Sequence, residues 1–105
     1  MKEISVIELK EWMDSGVDFQ LVDVREPSEY AVCDLGGLLI PLASVPNQVE
    51  KFDRYKKVVV HCRSGKRSAT AIDILEKNYG FENLYNLKGG ILAWADEIDE
   101  SMPKY

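Results

Sequence analysis

The chemistry of this chain concentrates in Cys62-Arg63-Ser64-Gly65-Lys66-Arg67-Ser68. Cys62 closes a β-branched run, Val58-Val59-Val60-His61, and a glycine-bearing loop then leads into a helical apolar pattern. A cysteine between a strand end and a helix start gathers unpaired backbone N–H groups and the positive end of the helix dipole around its sulfur, so thiolate is favoured over thiol. Arg63, Lys66 and Arg67 place three cations within five residues, lowering the thiol pKa further and drawing in anions. Such a nucleophile needs no separate base. A cysteine alone at a strand end reads as a small buried hydrophobe; the cationic, glycine-bearing sequel is what marks Cys62 as reactive.

Other residues invite competing readings. His61, the only histidine, is a tempting base, but alternation along a strand turns its side chain away from that of Cys62, so it reads as structural. Cys33 is either a resolving thiol for Cys62 or a buried hydrophobe beside Val32. Asp23 and Arg25 end a strand-like run, where a turn-forming Asp and a surface Arg paired with Glu29 would suffice to explain them. Trp94 is either a pocket wall or the apolar side of a helix. Two cysteines and one histidine lack the paired spacing of a zinc site, so neither a metal nor another cofactor is expected.

The elements that must position these residues alternate. Ser5-Val6-Ile7-Glu8 fits a capping box, and Ile7, Leu9, Trp12 and Met13 predict a first helix stopped by Gly16. A strand over Phe19–Val24 follows, then a short helix begun by Pro27 and running through Tyr30 and Val32. Leu38-Leu39-Ile40 predicts a short strand closed by Pro41, and Ser44 a helix cap ahead of Val45, Val49 and Phe52, with Pro46 in its first turn. Val58–His61 has the continuous apolar character of a strand buried on both faces of a parallel sheet. Ala69, Ile72, Ile74, Leu75 and Tyr79 mark a helix ended by Gly80; Leu84–Leu87 is a strand; Gly89-Gly90 turns into a last helix at Ile91, Leu92, Trp94 and Ala95. The acidic Asp96-Glu97-Ile98-Asp99-Glu100 is expected to fray as a solvated face, or to serve a partner. Alternating strands and helices imply βαβ units, with helices on both faces of a parallel sheet and ligands bound beyond the carboxyl ends of its strands.

Composition narrows the field. At 105 residues the chain is expected to form one domain over 1–105. With 46% apolar and 30% charged residues it reads as soluble, and no apolar run is long enough for a bilayer. A net charge of −5 argues against nucleic acid as a partner. Met1-Lys2-Glu3-Ile4-Ser5 has no signal-like apolar stretch, so a cytoplasmic location is expected.

Three ordered blocks resemble the rhodanese-like sulfurtransferase domains: Leu21-Val22-Asp23-Val24-Arg25-Glu26-Pro27-Ser28-Glu29-Tyr30, the segment Val58 to Ser68, and Leu87-Lys88-Gly89-Gly90-Ile91-Leu92-Ala93-Trp94. The resemblance implies an α/β fold with a five-stranded parallel sheet flanked by helices, and transfer of a sulfane sulfur through a Cys62 persulfide. It implies that Arg63, Ser64, Gly65, Lys66, Arg67 and Ser68 form the substrate loop, with their N–H groups on the persulfide and Arg67 on the donor's anionic oxygens. It also gives Asp23 and Arg25 a loop-supporting role. The implied donor is a small sulfur anion such as thiosulfate, or a protein persulfide. Where many relatives carry Gly-His-Ile-Pro-Gly-Ala, this chain reads Cys33-Asp34-Leu35-Gly36-Gly37-Leu38. That variant resembles the rhodanese domains of adenylyltransferases for molybdenum-cofactor and thiamine synthesis, and so suggests a sulfur-carrier protein as acceptor.

Two other functions stand beside this one. A phosphatase or arsenate reductase of similar architecture has one residue more between cysteine and arginine, whereas four separate Cys62 from Arg67 and position 68 is serine. A non-catalytic binding module is the second, and the presence of Cys62 speaks against it.

Overall fold

The computed structural model describes residues 1–104. Strand β1 is Lys2–Ile4, β2 Phe19–Asp23, β3 Leu38–Leu39, β4 Lys57–His61 and β5 Leu84–Leu87. All pairings are parallel, in the spatial order β1-β5-β4-β2-β3. The central strand β4 alternates strictly. Val58, Val60 and, just beyond it, Cys62 enter one core cluster, while Val59 enters the other.

Each face is covered by a helical layer. Helix α3, Lys66–Tyr79, places Ala71, Ile72 and Leu75 in the cluster that contains Cys62, joined by Val45 and Phe52. Helices α1, Val6–Ser15, and α4, Gly90–Glu97, bring Val6, Leu9 and Trp94 to the opposite face. The short α2, Pro27–Val32, follows β2. The capping box expected at α1 is present: Ser5 Oγ accepts from Glu8 N–H, and Glu8 Oε1 accepts from Ser5 N–H, both at 3.1 Å.

Three elements differ from expectation. Strand β1 was not foreseen, because at this sheet edge only Ile4 is buried and Lys2 and Glu3 face solvent, leaving no alternation to read. The helix expected after Ser44 is instead two 3₁₀ segments, Leu42–Asn47 and Val49–Lys51, with no side-chain cap. Pro46 lies inside the first, where it lacks an N–H and its ring opposes an α turn. The acidic tail is tied down: Ile98 and Met102 pack on the α1–α4 face, and Lys104 Nζ meets Asp96 Oδ1 at 2.5 Å.

Candidate active site

The carboxyl end of β4 delivers Cys62 to the first turn of α3. Gly65 caps that helix at φ +106°, a left-handed conformation that a side chain would strain. The turn aims the Gly65 N–H at Cys62 Sγ, 3.1 Å away, and the Ser68 N–H lies 3.4 Å from the same sulfur. Ser68 Oγ is also 3.4 Å from Sγ. Burial, which leaves Cys62 1% exposed, pushes the thiol pKa up. Hydrogen bonds from the Ser68 side chain and from the Ser68, Gly65 and Ser64 backbones outweigh it, so the net shift is downward. A buried sulfur held at a helix start by inward-facing donors can carry negative charge without a base.

The loop's outward side is fixed by α4. Ile91 N–H donates to Cys62 O at 3.0 Å, and Leu92 N–H to Arg63 O at 3.1 Å. Binding those two carbonyls with the orphan donors of a helix start keeps them in place, while the N–H groups of Gly65 and Ser68 face the sulfur. Gly90 makes the approach possible: a Cβ there would stand 2.5 Å from Arg63 O and 2.6 Å from Cys62 O. A further strut comes from β5. Asn86, 5% exposed, accepts from Ser68 Oγ at 2.6 Å and donates through Nδ2 to Gly65 O at 3.1 Å.

The loop cations divide. Arg63 and Lys66 are exposed, as is Ser64. Arg67 turns back and pairs with Glu29 of α2, Nη1 to Oε1 at 2.6 Å and Nη2 to Oε2 at 2.8 Å. That guanidinium holds the Glu29 carboxyl down at about 2. Beside the pair lies a cavity of about 390 Å³ lined by Val24, Glu26, Leu42, Ala43 and Arg67.

Asp23 and Arg25 form a fully buried pair. Arg25 Nε lies 3.0 and 3.1 Å from the two Asp23 oxygens, and Nη2 donates to Asp23 Oδ2 and to Cys33 O, each at 2.7 Å. The surface reading of Arg25 with Glu29 is therefore corrected: Glu29 serves Arg67, and Arg25 serves Asp23. The pair ties the end of β2 to the segment after α2 and stands beside His61, whose Nε2 is 3.6 Å from Asp23 Oδ2. His61 lies on the sheet face away from Cys62's cluster, and burial lowers its pKa against the pull of Asp23, leaving a neutral imidazole. Trp94 is in the α1–α4 core, not in the cavity wall. Cys33 is half-buried, with Sγ 3.5 Å from Pro103 O.

A parallel α/β sheet thus presents a buried cysteine, at a helix start, to the N–H groups of Gly65 and Ser68. The chain belongs to the rhodanese-like domain family, whose description matches residues 5–97. It is 36% identical over 101 residues to the probable adenylyltransferase/sulfurtransferase MoeZ of Mycobacterium tuberculosis, covering 93% of this chain but only 26% of that protein. The chain thus spans about a quarter of MoeZ. A sulfurtransferase of Allochromatium vinosum is 34% identical over 96 residues, covering 90% of this chain and 89% of that one. The crystal structure of a rhodanese-like domain protein from Staphylococcus aureus superposes with a TM-score of 0.83 at 34% identity, over 93% of this chain and 95% of that one. Relatives named sulfurtransferases thus place the domain in a sulfurtransferase family, and the MoeZ match accords with the resemblance of Cys33–Leu38 to the rhodanese domains of adenylyltransferases.

One group at this site was not singled out in the sequence. Asn86 had a signal, since asparagine is unfavoured within a buried strand and must be satisfied there. Glu29 was read as an arginine's partner, but of Arg25 rather than Arg67.

Proposed function

We propose that Cys62 carries sulfane sulfur as a persulfide, taking it from a small sulfur anion or a persulfide donor and passing it to a thiophilic acceptor. The observation that carries this reading is the set of inward donors on Sγ: Gly65 N–H at 3.1 Å and Ser68 N–H at 3.4 Å. In the first half-reaction the Cys62 thiolate attacks the donor's outer sulfur. One S–S bond forms as another breaks, and the electron pair departs with the leaving group, sulfite in the case of thiosulfate. The loop N–H groups then face the persulfide anion, which needs the same stabilisation as the thiolate. Arg67 reaches a donor by sharing or leaving Glu29. Asp23 and Arg25 hold the strand ends beneath the loop. The Cys33–Leu38 segment and the likeness to MoeZ support a sulfur-carrier protein as the physiological acceptor.

The test is intact-mass measurement after incubation with thiosulfate, mercaptopyruvate or a persulfidated protein, followed by cyanide. A gain of one sulfur, reversed by cyanide with release of thiocyanate and absent in Cys62→Ser, is the expected result. No gain with any of these donors would sink the proposal.

A further inference from the structure

Asn86 occupies the third position of β5, where at 5% exposure its amide must find partners inside the protein. Its two ends reach two different residues beside Cys62. Nδ2 donates to Gly65 O at 3.1 Å, and Oδ1 lies 2.6 Å from Ser68 Oγ. The first bond fixes the direction of the amide, because only its NH₂ end can meet a carbonyl. Oδ1 therefore faces Ser68 and, having no proton of its own, must accept the hydroxyl's. A hydroxyl has only one. Ser68 Oγ thus turns lone pairs, not hydrogen, toward Cys62 Sγ at 3.4 Å.

That arrangement suits a thiol, which can donate to Oγ, and opposes a thiolate, which needs the hydroxyl proton for itself. The Gly65 and Ser68 amides favour the thiolate, whereas Asn86 competes with it. The charged groups near the sulfur belong to other elements. Arg67 of α3 interacts electrostatically with Cys62 and is paired with Glu29 of α2, while Arg63 and Lys66 of the loop are exposed. Asp23, Arg25 and His61 gather on the other face of the sheet. β5 and α4 bring Asn86 and the Ile91 and Leu92 amides, none of them ionisable.

We propose that Asn86 is a positioning residue that holds the Ser68 hydroxyl proton away from Cys62 Sγ, restraining the free thiolate and favouring the sulfur-loaded state. Loading removes the competition. As Sγ bonds to the incoming sulfur, the donor's S–S bond breaks and its electron pair departs with the leaving group. The negative charge then sits on the outer sulfur of the persulfide, Sγ becomes an uncharged bridging atom, and the Ser68 proton returns to Asn86. The restraint on the thiolate stands apart from the persulfide chemistry proposed for Cys62; the preference for the loaded state rests on it.

The experiment follows iodoacetamide alkylation of Cys62 across pH in folded wild type, Asn86→Val, Asn86→Asp, Ser68→Ala and the Ser68→Ala/Asn86→Val double variant. Asn86→Val keeps a strand-forming side chain and removes the acceptor. Its profile is expected to move to lower pH, with alkylation about threefold faster on the acidic limb and about threefold slower on the alkaline plateau, where the better-stabilised thiolate is the weaker nucleophile. Asn86→Asp keeps the shape, strengthens the acceptor and is expected to move the profile to higher pH. In the Ser68→Ala background, Asn86→Val is expected to shift nothing. A strut that merely steadied Gly65 gives the opposite sign for Asn86→Val, since a loosened Gly65 N–H stabilises the thiolate less. A shift of Asn86→Val to higher pH, or a shift to lower pH that persists without the Ser68 hydroxyl, would overturn the inference. If Asn86→Val does not fold, an Asn86→Asp profile that stays in place or moves to lower pH does so instead. The loaded state is read by intact mass at a fixed ratio of thiosulfate to sulfite, on the alkaline plateau. The ratio of persulfide to free Cys62 is expected to be about threefold lower in Asn86→Val than in wild type, and an equal ratio would overturn the preference for loading. A wild-type chain that never loads would overturn the persulfide reading, while alkylation still decides the role of Asn86.

Discussion

Ser68 has one hydroxyl proton and two neighbours that want it. Asn86 Oδ1, at 2.6 Å, is the closer, and Cys62 Sγ lies at 3.4 Å. As a thiol, Cys62 donates to Ser68 Oγ, which donates on to Asn86; as a thiolate, the sulfur draws the Ser68 proton to itself. Ser68→Ala removes this bond while the Ser68 amide stays. A hydrogen bond to an ion is worth about 1.5–3 kcal/mol, so alkylation of Cys62 at neutral pH is expected to slow about tenfold, its pH profile moving to higher pH. Iodoacetamide rates across pH check this, and a profile coincident with wild type would refute it. Glu29 gives a second pH-dependent effect. Its pKa, about 2, is depressed mainly by hydrogen bonding to Arg67 against the opposing effect of burial. A depressed carboxyl stabilises the fold fully above its ordinary value of roughly 4.3 and loses that contribution as pH falls through the folded value. Allowing for the third-exposed Arg67, the contribution is about 1–2 kcal/mol. Wild type should therefore exceed Glu29→Gln by that amount in urea unfolding at pH 6, with the gap closing near pH 2.

Between residues and fold, the contact of α4 with the Cys62 loop carries the most consequence. Its two hydrogen bonds, from Ile91 and Leu92, require Gly90 to lie against the carbonyls of Cys62 and Arg63. Gly90→Ala introduces both a backbone clash and a side chain at φ +60°, and is expected to cost about 2–4 kcal/mol in urea unfolding. It should also reduce sulfur loading in whatever fraction remains folded at low temperature. Wild-type stability and loading would remove α4 from the support of the loop. Elements with a strong internal pattern were legible in the sequence. The β-branched run of β4, the capping box of α1 and the Pro27 start of α2 each carry their signal in neighbouring side chains. β1 was not legible, because its pairing with β5 supplies what Lys2 and Glu3 do not show. The stretch after Pro41 has apolar residues at helical spacing, yet Pro46 decided against an α-helix.

Across the whole molecule, the site is a meeting of distant segments. Cys62 and its cations could be read from one stretch of seven residues, whereas Glu29 reaches Arg67 across 38 positions and Asn86 reaches Ser68 across 18. Only the assembled fold reveals those contacts. The same assembly buries Asp23 and Arg25 at 0% exposure between two strands and the segment after α2. Asp23→Ala leaves the guanidinium without its carboxylate and is expected to destabilise the fold by about 3–5 kcal/mol; adding Arg25→Met should restore part of the loss. Equilibrium unfolding of the single and double variants measures both, and a double variant no better than the single would argue that the arginine's charge is not the cause. The pinned loop carbonyls reach into the time domain. With Cys62 O and Arg63 O bound by α4, the Ser68 amide, in a fully buried residue, is turned to a buried sulfur. Its exchange with deuterium should follow global opening of the domain rather than loop fluctuation, whereas that of the half-buried Gly65 should be faster.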